Sequence, residues 1–283
     1  MFNMIKADSY RITKSIAFYI AAAIIFVLAA VSIYLVSPGT IGQANIGDIS
    51  TAQYSQETPL DDISFEEMQD LTPKDMRKIM LETENYELDR EILAMNMNLY
   101  YCFIFIAALI ITVDFSSGSA KNTLSSAISR NKYFISKTAI VFGICIFLFF
   151  LNTYVVYFGN MIFNSGKVSS DLWTITKVSL LQLPPMLALM SILTGIAFAV
   201  RKTAVYNMIT IPLVMVFQLI LGVLIKIFDL KSKIADFELQ IMIGKLSADP
   251  SDKYIIQSCI VCTVIIIAFL SLGYASFRKS EIK

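Results

Sequence analysis

Charged residues punctuate this chain at long intervals, and what lies between them is apolar. No charge falls between Lys14 and Asp48, Glu91 and Asp114, Lys137 and Lys167, Lys177 and Arg201, Lys202 and Lys226, or Lys253 and Arg278. Each gap is longer than the roughly 20 residues that a helix needs to cross the hydrocarbon core of a bilayer. One charge at mid-membrane costs about 2.5–3.5 kcal/mol on insertion scales, so charge-free runs of this length predict spans. Six are expected, at residues 16–36, 93–113, 135–158, 178–200, 203–225 and 255–277. The fourth and fifth are parted only by Arg201 and Lys202, which predicts a tight helical hairpin. Pro184, Pro185 and Pro212 fall within spans, where each removes a backbone donor and serves either helix shape or a hinge.

The polar segments carry the orientation. Lys6, Arg11, Lys14, Lys121, Arg130, Lys132, Lys137, Arg201, Lys202, Arg278, Lys279 and Lys283 fall on one side, against only Asp8, Asp114 and Glu281. By the positive-inside rule that side is the cytoplasm, which places both termini there. The other side holds loops 159–177 and 226–254 and the long segment 37–92, with thirteen acids and four bases. Within that acidic segment, Ser64-Phe65-Glu66-Glu67 reads as a capping box with Ile63 and Met68 as a staple. Thr72-Pro73 reads as a second helix start. Residues 229–254 are patchily amphipathic and suit a short re-entrant or interfacial helix pair. The fold class expected is thus an all-α membrane protein. It has six transmembrane helices, an N-terminal interfacial helix, a short cytoplasmic helix after the second span and a partly helical outer segment between helices 1 and 2. Residues 1–15 form the interfacial segment, 16–283 the transmembrane domain, and 37–92 its extracellular acidic insert.

Composition sharpens this picture. Apolar residues make up 56% and charged residues 16%, against about 25% charged in an ordinary globular protein. The charged preamble up to Ser15 leads into an apolar run too long for a cleaved signal peptide, so it reads as an anchor that stays. Cys102, Cys145, Cys259 and Cys262 all lie in apolar runs and read as packing residues rather than a disulfide framework. The chain has no histidine, which removes Ser-His triads, zinc-protease helices and imidazole relays. No Cys/His/Asp cluster has metal-ligand spacing. Gly159 to Gly166-Lys167 is not a phosphate loop, because its glycines are too far apart and Val168 stands where Ser or Thr is needed. The expected spans hold no mid-membrane charge, Asp114, Lys177 and Lys226 lying at span ends, which disfavours proton coupling through the chain's own carboxylates. Energy for any transport is then expected from a partner, with sodium held by backbone carbonyls at a broken helix as the alternative. The net charge of +1 gives no pull toward nucleic acid.

Two segments on the basic side carry the functional signal. In residues 1–15, Met1, Met4, Ile5, Asp8 and Ile12 share a face, leaving Lys6, Arg11 and Lys14 for headgroups. In residues 114–137, Ala120, Leu124, Ala127 and Ile128 form one helical stripe with Lys121, Ser125 and Ser129 off it, and Gly118 suits the turn into that helix. Such a short helix with an apolar stripe suits a protein groove.

These segments resemble the membrane subunit of a type-2 ATP-binding-cassette exporter, of the bacterial kind associated with bacteriocin and lantibiotic export and self-protection. The resemblance rests on Ile5-Lys6-Ala7-Asp8-Ser9-Tyr10-Arg11 before the first span and on Asp114-Phe115-Ser116-Ser117-Gly118 after the second. It extends through Asn122-Thr123-Leu124-Ser125 and Ser129-Arg130-Asn131-Lys132-Tyr133, and includes the six-span layout. It implies a permease in the plasma membrane that is not itself an enzyme. The partners implied are a cytoplasmic ATPase that holds ATP and Mg, and a second permease subunit, identical or paralogous. The cargo implied is amphipathic or hydrophobic, such as an antimicrobial peptide. The loop after span two resembles the family's coupling helix, which assigns ATPase coupling to Gly118, Lys121, Asn122, Leu124, Ile128 and Arg130. Aromatic residues in the spans, Tyr100, Tyr101, Tyr154, Tyr157 and Phe217, suit such cargo as well as packing. The competing expectation is a non-transporting immunity or sensor protein that binds cationic peptide through residues 37–92.

Overall fold

A computed structural model describes residues 2–36, 93, 96, 99–125, 128–163, 171–227, 236–247 and 250–279. The acidic insert 37–92, with its capping box and second helix start, lies outside the described residues, as do Ser126 and Ala127. The described residues form helices and turns, without a strand among them. In order these are α1 (Phe2–Thr13), α2 (Ile16–Val36), α3 (Leu99–Ala107), a π-helical turn (Ala108–Thr112), α4 (Val113–Ser116) and α5 (Ser119–Ser125). They continue with α6 (Arg130–Phe163), α7 (Leu172–Val200), α8 (Thr203–Ile227), α9 (Leu239–Ser247) and α10 (Asp252–Lys279).

Three of these helices are long and apolar enough to cross a membrane by themselves: Arg130–Phe163, Leu172–Val200 and Asp252–Lys279. A fourth qualifies if Cys102–Ser116 and Ser119–Ser125, which meet at 69°, are counted together. Continuous apolar stretches at Phe18–Val31 and Thr203–Val216 are shorter. These helices overrun the expected spans: α6 starts at Arg130 and ends at Phe163, and α3 continues through the π turn and α4 to Ser116.

Helix α7 is the axis of the bundle. Its most extensive partner is α10, and α9, α6, α3 and α8 also pack on it. The α7–α10 approach depends on two glycines. A β-carbon at Gly195 would sit 2.6 Å from the carbonyl oxygen of Phe269, and one at Gly273 would sit 2.8 Å from the Cα of Gly195. Small residues let helix backbones meet this closely where no hydrophobic effect drives association. The outer face of α10 is an apolar stripe, with Ile256, Ile260, Val264 and Ile267 all exposed. In water that stripe is a liability, whereas in hydrocarbon it is the ordinary lipid-facing surface.

The turn between α7 and α8 is the tight one expected: α7 ends at Val200, α8 begins at Thr203, and Arg201 takes a left-handed φ of 62°. Arginines secure the helix ends here. Arg201 Nε donates to the Phe198 carbonyl (3.2 Å) and Nη2 to that of Ser276 (3.3 Å), while Arg130 Nη1 donates to that of Arg278 (2.7 Å). Cations at helix C-termini satisfy carbonyls that have no helical partner.

At the opposite end, the segment expected as a re-entrant or interfacial pair is represented by one described helix, α9. Glu238 caps it, its Oε2 accepting from the backbone N–H of Gln240 (2.9 Å) and Ile241 (2.8 Å). Met242 and Leu246 pack with Ala188 of α7 and Cys262 of α10. Cys102, Cys145 and Cys262 are buried and Cys259 is exposed, all as free thiols.

Candidate functional site at the basic end of the bundle

The chain leaves α4 through Ser117 and Gly118 and turns into α5. Gly118 sits at φ +72°, a backbone conformation that costs any residue with a β-carbon, and no atom lies within 4 Å of where that carbon would be. Backbone bonds close the turn: Ser117 N–H donates to Val113 O (2.9 Å), and Lys121 N–H to Gly118 O (3.1 Å).

The six residues assigned to coupling divide into two sets. Gly118, Lys121 and Asn122 are exposed. Ala120 is fully buried, and Leu124 and Ile128 pack half-buried against the chain's main core. The apolar stripe of α5 therefore faces this chain's own helices, and the surface it presents outward is polar. Arg130 is half-buried and ties the start of α6 to the end of α10.

Beneath this turn lies a cluster that the sequence reading missed. Asp114, in α4, is buried and accepts from three sides. Arg11 of α1 meets its Oδ1 at 2.5 Å, Lys137 of α6 pairs with its Oδ2, and the Tyr133 hydroxyl donates to Oδ2 at 3.2 Å. Lys137 also pairs with Asp8 Oδ2 (2.9 Å), and Arg11 with Asp8 Oδ1 (3.4 Å). Arg11 reaches further, donating from Nη1 to the Ser119 hydroxyl at the start of α5 (3.2 Å). Two acids and two bases thus neutralise one another. The Asp114 and Lys137 side chains are only 3% and 2% exposed, which isolates the pair from solvent screening. The expectation that Arg11 serves the headgroups is corrected: it is half-exposed and committed to Asp8, Asp114 and Ser119. Lys6 and Lys14 are exposed, and Ile12 is buried, as the face pattern of α1 requires.

Aromatic rings wall the cluster on its core side. Phe115 meets Tyr133, Phe198 and Phe277 edge-on at 6.0–6.2 Å, and Phe134 lies 4.5 Å from Phe198. The Arg201 guanidinium sits 5.6 Å from the Phe115 ring. Burial, with repulsion from Arg130, lowers the Arg201 pKa from its ordinary value. Thr203 fastens α8 to the same place, its hydroxyl lying 3.0 Å from that of Thr112 and 3.1 Å from that of Ser116. The turn at Gly118 is therefore joined to α1, α6 and α8 at once.

A sequence signal for this cluster existed. Lys137 is the last charged residue of α6, one turn after Tyr133 and at the head of the uncharged run Thr138 to Phe163, and a cation so placed needs an acid from another segment. Which acid answers it is a question of tertiary geometry. Of the aromatics suggested for cargo, Tyr154 bonds toward Thr176 (3.4 Å), and Tyr157 packs with Leu93, Ile175 and Val178. Both are thus engaged within the chain. The side chains of Tyr100, Tyr101 and Phe217 lie outside the described set.

Long apolar helices closed at one end by a buried charge cluster define a helical membrane protein. The chain belongs to a family of efflux permeases: residues 64–278 match the family model described as "Multidrug efflux system permease Rv1217c, C-terminal domain". No curated protein matches the chain. The family agrees with the broader part of the resemblance drawn from the sequence, an efflux permease.

Proposed function

We propose that this chain is the permease subunit of an ATP-binding-cassette exporter that moves an amphipathic or hydrophobic substrate, such as an antimicrobial peptide, out of the cell. It crosses the plasma membrane six times with both termini cytoplasmic and pairs with a second permease subunit. ATP and Mg are held by a separate cytoplasmic ATPase. In this reading α1 is the interfacial helix and α5 the coupling helix.

The observation that carries the reading is the bonding of the Gly118 turn. A polar face made of Gly118, Lys121 and Asn122 stands outward on a short helix whose root is pinned by Arg11, Asp114 and Lys137. A load applied to that face passes into α1 and α6 through charged contacts rather than through a slack loop. The half-buried Leu124 and Ile128 hold α5 on the bundle, so they support the docking surface from behind.

The test is co-purification with the cognate ATPase. Lys121→Glu together with Asn122→Arg should lower ATPase recovery about tenfold, the scale of one lost charged contact, while leaving the melting temperature of the permease unchanged. Recovery at the wild-type level would remove α5 as the docking element.

A further inference from the structure

Far from the charge cluster, a second polar group is buried among the helices, and it holds no charge. Asn96, ahead of α3, donates from Nδ2 to Gln182 Oε1 of α7 (2.9 Å) and to Thr153 Oγ1 of α6 (3.5 Å). Asn152 of α6 donates from Nδ2 to Asn96 Oδ1 (2.8 Å). Gln182 spends both hydrogens of Nε2 on backbone carbonyls, those of Leu93 (3.0 Å) and of Ile243 in α9 (3.1 Å). Gln182 is wholly buried, and Asn96, Asn152 and Thr153 are nearly so. One side chain of α7 therefore grips the segment leading into α3, and also α9, directly, and α6 through Asn96.

This grip sits at the weakest turn of α7. Pro184 and Pro185 lie inside the helix, and neither has an N–H to give. The carbonyls of Leu180 and Leu181 thereby lose their helical partners, so two consecutive rungs are missing within three residues of Gln182. A helix with such a gap bends there at low cost unless something holds the two halves in line. The amide cluster supplies that hold from outside the helix.

We propose that residues 180–185 form a hinge in α7 and that Gln182 is its lock, keeping the Leu172 half of α7 aligned with α9 and with Leu93 and Asn96 ahead of α3 until the cluster parts. Bending of α7 at this turn would part Gln182 from Leu93, Asn96 and Ile243 and loosen α9, which would keep its packing on Ala188 and Cys262. The device needs no titratable group and does not depend on which partner supplies the load.

Hydrogen exchange of the full chain in lipid nanodiscs tests this without substrate or ATPase. Gln182→Leu keeps the site filled but removes every bond of the lock. It should speed amide exchange about tenfold in residues 172–183 and in α9 together, with residues 186–200 unchanged. Adding Pro184→Ala and Pro185→Ala to Gln182→Leu restores the missing rungs and should return residues 172–183 to within about twofold of wild type. A simple packing role for Gln182 would not be reversed by changing the prolines. The proposal is overturned if Gln182→Leu leaves exchange unaltered, if the rise extends equally through residues 186–200, or if the alanines fail to reverse it.

Discussion

Asp114 and Lys137 illustrate how a buried pair behaves when each member has several partners. Removing one partner leaves the other charge buried and uncompensated, which typically costs about 3–5 kcal/mol, whereas replacing both with apolar groups of similar size is often close to neutral. Lys137→Met alone should therefore lower the melting temperature of the detergent-solubilised protein strongly, as should Asp114→Asn to a lesser degree. Asp114→Leu combined with Lys137→Met should recover much of the loss, leaving Arg11 and Asp8 to pair with each other. Thermal melting followed by tryptophan or dye fluorescence reads this directly, and equal damage from the double variant would contradict it. Gly118 makes a smaller and separate prediction. Its surroundings leave room for a β-carbon, so Gly118→Ala should cost only the backbone penalty of a left-handed residue, about 1–2 kcal/mol. At this scale the sequence was legible where a residue's role is local, as for Gly118 in its turn. It was silent where the role depends on which side chains meet: Asp8, Asp114 and Lys137 are far apart in the chain, and nothing in their spacing pairs them.

Helices were easier to foresee than their ends. An apolar run and a break in it are local facts, so α2, α6, α7, α8 and α10 fall on expected apolar runs, and the two-residue hairpin at Arg201-Lys202 is where the charges put it. Several ends lie outside the expected spans, α6 running from Arg130 to Phe163 and α10 from Asp252 to Lys279, because a helix continues into polar residues wherever its terminal carbonyls find a partner, as Arg278 O does in Arg130. The stripe on α5 was also legible, but its direction was not. Periodicity says that Ala120, Leu124 and Ile128 share a face, not whether that face meets a partner or the chain itself. Two predictions belong here. Leu124→Asp places a charge against the core and should lower expression and thermal stability, whereas Lys121→Glu on the exposed face should leave both unchanged. Gly195→Leu should separate α7 from α10, because even its β-carbon would meet the Phe269 carbonyl at 2.6 Å. Overpacking of this sort typically costs about 1–3 kcal/mol, which a lowered melting temperature would register.

The whole molecule joins a sealed basic end to a polar knot deeper in the bundle, with α7 running through both. The basic end gathers α1, the Gly118 turn and the starts of α6 and α8 on one charged and aromatic cluster. The amide knot gathers α6, α7, α9 and the approach to α3. The chain belongs to a family of efflux permeases, and in the proposed reading it takes a load at the basic end and yields at the amide knot. The proposed docking of an ATPase on α5 is the claim on which the transport reading rests. Its most direct measurement is site-specific crosslinking in intact cells. The account predicts that Asn122→Cys, on a background lacking the native cysteines, crosslinks to the cognate ATPase, whereas Thr263→Cys on the exposed face of α10 does not. An intact permease–ATPase complex with no crosslink at position 122, or labelling of that cysteine by an impermeant reagent from outside the cell, would contradict it.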